Sequence, residues 1–267
     1  APQASACKDR DHDVFPPPPV APLVMNPAGE RILASLQAVA AQRAVRRQDV
    51  ELGRHVQAMK AYQHGRFMLT YADLLAHPRY GGAALFFLED LYGPGDFTSR
   101  DDQFARIVPG LVRMFPRDII DTVQALGQLH ALSEELDTAM AVAWRDLRTA
   151  KGPHGDGDLA IDGVCYGRCW RSVAGPADRE RQIALMLAVG EALEGYTRNP
   201  LLRTSLRVMR GPAQAAGLGA LQGFLERGFD TFRAMQGARD FLNVIASRER
   251  ALAASLFAGA DAPAVEV

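Results

Sequence analysis

Between Pro116 and Arg148 the apolar residues Ile119, Ile120, Val123, Leu126, Leu129, Leu132, Leu136 and Met140 return every three or four positions. That spacing lines up along one side of an α-helix, whereas a strand would send alternate side chains to opposite faces. Similar spacing recurs almost everywhere after Asn26. Ile32, Leu33, Leu36, Val39, Ala40 and Ala44 carry a helical stripe that continues through Val50, Leu52 and Val56 to Met59. Phe67, Leu69, Tyr71, Leu74 and Leu75 carry another, which stops before Pro78. Further helices are expected near 160–173, 177–198, 200–210, 213–235 and 237–258. No stretch alternates with β-branched residues between hairpin turns. The chain therefore reads as all-α: one compact multi-helix domain over 29–259, a Pro-rich tail over 1–28 and a short C-terminal tail over 260–267.

The tail holds Pro16 to Pro19, Pro22 and Pro27 and has little apolar periodicity, which suits an extended polyproline spacer. A second break, Lys151 to Asp158, is rich in Gly and Asp and reads as a loop. With 267 residues, 48% of them hydrophobic, the chain has enough apolar side chains for a large core. Its formal net charge of −1 gives no general attraction to nucleic acid, and charged residues interrupt every apolar run before it reaches membrane-spanning length. Cys7, Cys165 and Cys169 are odd in number and lack scaffold-like spacing. No apolar leader opens the chain, and nearly all basic residues are arginine, so a cytoplasmic bacterial protein is expected.

The most distinctive text is Ala84 to Phe97 followed by Arg100, Asp101 and Asp102. A helix containing Phe86 and Phe87 should end at Gly93-Pro94 and restart with Ser99 as its cap, placing Asp101 and Asp102 at the positive end of the next helix. At this elbow Phe86, Phe87 and Tyr92 are candidates to wall a hydrophobic ligand pocket, Tyr92 adding a hydroxyl; the alternative is that the two phenylalanines simply pack in two directions. Arg203, Arg207 and Arg210 fall at i, i+4 and i+7, a basic stripe whose guanidinium forks match a carboxylate or phosphate. Its alternative is an ion-paired surface. Residues 168–250 carry 13 Arg against 8 acidic residues, while 85–138 carry 10 acidic residues against 4 Arg, so the two segments are expected to attract each other.

No cofactor is expected, but a metal alternative stands beside that reading. Asp101, Asp102, His130 and Glu134 are the residues that would hold Mg²⁺ or another divalent ion. An Asp-Asp pair in a helical chain evokes prenyl-diphosphate enzymes, yet Arg106 stands near the place where their aspartate-rich motif needs a third acid. His130 and Glu134, like Glu51 and His55, lie four apart rather than in the Glu-x-x-His spacing of di-iron bundles. Without a metal, such a pair reads as a solvated helix surface. Cys165 and Cys169, one helical turn apart, would need His154 and a fourth ligand to make a zinc site, so two buried thiols are expected. There is no phosphate-binding glycine loop and no nucleophile elbow.

Pro78-Arg79-Tyr80, Phe86 to Gly93 with Asp96-Phe97 and Arg100-Asp101, Leu132 to Asp137, and Phe224 to Phe229 with Gly237-Ala238 and Phe241-Leu242 together resemble a family of proteobacterial helical proteins with no established activity. The resemblance spans about residues 60–259, and the octapeptide Phe86 to Gly93 is its most specific part. It implies a soluble, bacterial, mostly helical protein and no particular reaction. The functional expectation is a protein that binds a partner or an apolar or anionic small molecule, at a surface joining the elbow to the arginine stripe. Two alternatives stand: a metal-dependent helical enzyme acting on an isoprenoid-like or phosphorylated substrate, and an oligomeric scaffold joining copies through the Ile119 to Met140 stripe.

Overall fold

The computed structural model describes residues 26–91, 93, 95–150 and 161–265, so most of the Pro-rich tail, Tyr92, Pro94 and the whole Lys151 to Asp158 loop lie outside the described residues. Described elements are all helical: α1 (Pro27–Gln48), α2 (Val50–Thr70), α3 (Ala72–Ala76), α4 (Gly81–Phe86), α5 (Thr98–Met114), α6 (Arg117–Ala150), α7 (Gly163–Val173), α8 (Pro176–Thr197), α9 (Pro200–Ala215), α10 (Gly219–Ala234) and α11 (Arg239–Phe257). The chain is a single all-α domain, and among the described residues no helix is long and apolar enough to cross a membrane.

Local chemistry explains most boundaries. Asn26 accepts from the Ala28 N–H and Pro27 opens α1, a pairing that suits a helix start. The stripe from Ile32 to Met59 is two helices rather than one, because the Asp49 carboxylate caps the Leu52 N–H at 2.9 Å and is held from the far side by Arg145 at 2.8 Å. The elbow also differs from expectation. α4 widens into one π-type turn over Phe87–Leu91, and α5 starts at Thr98, where Asp96 accepts from the Thr98 N–H and hydroxyl; Ser99 sits inside the helix. α9 does not stop near 210 but runs through Pro212 to Ala215.

α6 has 34 residues, about 50 Å at 1.5 Å per residue, and is the axis against which α1, α2, α7 and α8 pack. Two apolar clusters lie to either side of its middle. One gathers Phe67, Tyr71, Phe86, Phe87, Leu88, Ile183, Met186, Phe232 and Phe241; the other gathers Met59, Tyr62, Met140, Trp144, Tyr166, Trp170 and Leu256. A third joins α1, α5 and the start of α6 through Ile32, Leu36, Val108, Leu111 and Ile120. Residues 260–265, expected as a tail, are seated on the second cluster: the Ala262 N–H donates to the Gly163 carbonyl at 3.1 Å and the Tyr62 hydroxyl to the Pro263 carbonyl at 2.6 Å. Glycine is needed under this segment. A Cβ at Gly163 would lie 2.1 Å from the Ala262 oxygen, and one at Gly65 would lie 2.2 Å from Val265 Cγ1.

Candidate ligand cavity

Between the two main clusters the helices leave a cavity of about 130 Å³. Three helices contribute to its wall with the same spacing. α2 supplies Lys60, Gln63, His64 and Phe67; α6 supplies His130, Ser133, Glu134 and Asp137; α8 supplies Arg179, Gln182, Ile183 and Met186. Each set is i, i+3, i+4 and i+7, one face of a helix. α8 runs antiparallel to α6, since Gln182 donates to Ser133 at 2.9 Å while Arg179 Nη2 lies 3.5 Å from Met140 Sδ. Tyr166 and Trp170 from α7, Arg66 from α2, and Glu249, Leu252 and Ala253 from α11 also line it. The elbow closes one side through Leu88, Leu91, Gly93 and Phe97.

Most buried charges around this space are paired. Arg46 donates to the Glu134 carboxylate at 2.5 Å, to the Glu134 carbonyl at 2.7 Å and to Thr138, and Lys60 reaches the other Glu134 oxygen at 2.8 Å. Burial would raise the Glu134 pKa, but Lys60 and Arg46 outweigh it and hold the group down at about 2. Asp101 is treated similarly. Burial pushes it up, while the hydrogen bond from His130 at 2.8 Å and the charges of Arg100 and Arg43 bring it to about 2. Arg66 meets Glu249 at 3.0 Å, and the Tyr71 hydroxyl donates to the same carboxylate at 2.7 Å. Asp137 is less well served: Gln63 donates to it at 3.0 Å and Lys60 stands 3.7 Å away, but burial wins and its pKa is raised.

Arg179 is different. Only 6% exposed, it has no carboxylate within ion-pair distance among the described residues. Its Nη1 lies 3.4 Å from the Gln182 oxygen and its Nε has no hydrogen-bond partner. The guanidinium stacks on Trp170, 4.4 Å from the ring centroid, and burial lowers its pKa. It is a cavity-wall cation whose donors are mostly unused.

The residues singled out from sequence fall in several places. Phe86 and Phe87 are 5% and 1% exposed and pack on Phe224 and on Phe232 and Phe241, so the elbow meets the cavity through its next turn, not through them. Tyr92 lies outside the described residues. Arg203 pairs with Asp230 at 2.8 Å and Arg210 with Glu226 at 2.5 Å, while Arg207 is exposed; none lines the cavity. Asp101 and His130 are joined, Glu134 is one turn further along α6, and Asp102 is exposed. His130 and Glu134 are thus interior groups and not a solvated surface pair, because α1 and α2 cover that side of α6. The acidic stretch 85–138 is likewise met mainly by Arg43, Arg46 and Lys60 of α1 and α2; Asp90 with Arg227 is the ion pair that joins it to the later arginines.

For a divalent ion, the donor set would have to give up existing partners. The oxygens of Asp101 and Glu134 already face guanidinium and ammonium groups, and among the described residues no three His, Cys, Asp or Glu side chains are grouped to hold a metal. His55 bonds the Glu51 backbone carbonyl at 2.9 Å and packs edge-on to Trp144. Cys169 is buried, which raises its thiol pKa to about 11, and Cys165 is half-buried.

A family model described as Domain of unknown function (DUF8198) matches residues 42–263. The chain belongs to this family. The DUF8198 stretch contains every residue of the cavity wall, from Lys60 to Ala253, together with Arg43 and Arg46, which neutralise its carboxylates from α1. It ends at Pro263, the residue that accepts from Tyr62. No curated protein and no solved structure matches the chain.

Proposed function

We propose that the protein binds a small molecule inside the helical bundle, in the cavity between α2, α6, α7, α8, α11 and the elbow. The observation that carries this reading is the composition of the wall around a space of about 130 Å³. That volume is close to the ~150 Å³ of an engineered dry cavity that takes up benzene. Unlike that cavity, this one combines apolar side chains from Phe67, Leu88, Ile183 and Met186 with hydrogen-bonding groups fixed by helices. The elbow keeps its place in the proposal, but by its inner side, Leu88, Leu91 and Phe97, and the arginine stripe of α9 does not enter.

Trp170 supplies the readout. It is one of two tryptophans and lines the cavity, so in Trp144→Phe protein it is the only indole present. Titration with 1-hexanol, a neutral probe, is expected to change its emission saturably, and Ala253→Leu, which fills the space, is expected to abolish the change. An emission that is insensitive to hexanol, or a response that survives the filling substitution, contradicts the proposal.

A further inference from the structure

We infer that the molecule held in this cavity is a small monocarboxylate, its carboxylate received by Arg179 and its apolar part directed along α8. The inference rests on the cavity-binding proposal and adds the sign, number and shape of the ligand's charge. Around the space, Lys60, Arg46, Arg66 and Arg179 face three carboxylates, those of Glu134, Asp137 and Glu249. Arg46 and Lys60 are taken up by Glu134 and Asp137, and Arg66 by Glu249. The surplus cation is Arg179, which has no carboxylate within ion-pair distance among the described residues; Asp137 and Asp178 act on it only from farther off.

Leaving a guanidinium buried and unpaired is costly, and its donors with only long contacts or none are an unmet demand for an acceptor. A carboxylate answers it with one charge and two oxygens, matched to one edge of the guanidinium. A phosphate monoester answers it badly. It carries about −1.5 to −2 charges, and the second would lie among the three wall carboxylates with no cation left to meet it.

The cavity also has direction. Arg179, Ile183 and Met186 follow one another along a single face of α8, about 10 Å from first to last, so the wall changes from cationic to apolar along its length. Leu88 belongs to the same apolar cluster as Ile183 and Met186. Length and volume together fit an acid of about eight non-hydrogen atoms, for which hexanoate is the probe.

The test is calorimetric titration of wild-type protein and Arg179→Met with hexanoate, 1-hexanol and inorganic phosphate. Wild type is expected to bind hexanoate at least about 10-fold more tightly than hexanol or phosphate, the effect of a charge-assisted bond in a buried site. Arg179→Met is expected to lose at least about 10-fold for hexanoate while hexanol stays within about 2-fold. Arg179→Lys, which keeps the charge without the two-donor edge, should fall between them, and it carries the test if the methionine variant does not fold. Hexanol binding as tightly as hexanoate, phosphate binding more tightly than either, or hexanoate binding that survives Arg179→Met overturns the inference and leaves cavity binding intact. Wild type that binds neither hexanol nor hexanoate overturns both.

Discussion

Arg46 and Arg179 are both nearly buried and both lie against α6, yet they are equipped in opposite ways. Arg46 is saturated: its guanidinium bonds the Glu134 carboxylate, the Glu134 carbonyl and Thr138, and Lys60 completes the neutralisation of the acid. Arg179, set against Met140 of α6, has a stacked tryptophan, two long contacts and no carboxylate at ion-pair distance among the described residues. The first arrangement fixes helices to one another, since each charge is balanced within the chain. The second leaves a charge with no carboxylate at ion-pair distance among the described residues, at the wall of a space that mixes buried cations with apolar surface. Structural and ligand-directed arginines are thus told apart by what already occupies their donors, not by burial.

The contrast is most exposed to failure at Arg46. Arg46→Met removes one partner of a buried pair and leaves Glu134 to Lys60 alone, a change expected to lower unfolding free energy by about 3–5 kcal/mol in urea denaturation. If Arg46→Met is as mild as Arg179→Met, the two sites are not distinct.

Acid provides the next largest effect. Glu134 is held near 2, well below the ordinary 4.5 of a glutamate, so the stability it contributes is fully present above about pH 4.5 and is lost as pH falls toward 2. That loss is on the order of 3 kcal/mol. Asp137 acts in the opposite sense, because its folded pKa is raised and its protonation favours the native state. Asp137→Asn should therefore steepen the loss of stability between neutral pH and pH 3, measured as urea midpoints, and an unchanged or shallower slope contradicts that assignment. The smallest expected effect lies away from both arginines. Tyr62→Phe removes the bond to the Pro263 carbonyl and should cost about 1 kcal/mol without altering hexanoate affinity.

How much of this could be read from sequence follows from which physical signals are local. Helix period gave the all-α fold and most helix positions, since burial of one face is written at three- and four-residue steps. The split at Asp49 was missed because the apolar stripe runs on across it, while the capping bonds depend on Leu52 and the distant Arg145. His130 and Glu134 looked like a solvated pair beside an apolar stripe. In the fold α6 is wrapped by helices on several sides, so its polar face is buried as well as its apolar one. A signal was nonetheless present: polar residues at i, i+3 and i+4 on α2 and α6, at 60/63/64 and 130/133/134, and at i and i+3 on α8, at 179/182. It becomes legible only once three such faces are seen to converge. The tendency of Phe86 and Phe87 to pack in two directions was readable; that the cavity begins one turn later, at Leu88, depended on the π-type turn.

The most direct measurement is the melting temperature of Arg179→Met beside wild type, both unfolded and refolded to strip any bound molecule. An unpaired buried cation predicts that its removal raises the midpoint, by about 2–4 °C for each kcal/mol relieved. Hexanoate should then raise the wild-type midpoint and leave that of the variant unmoved. A variant that melts below wild type without ligand, and shifts as far as wild type with hexanoate, would show that Arg179 already has its partner within the chain.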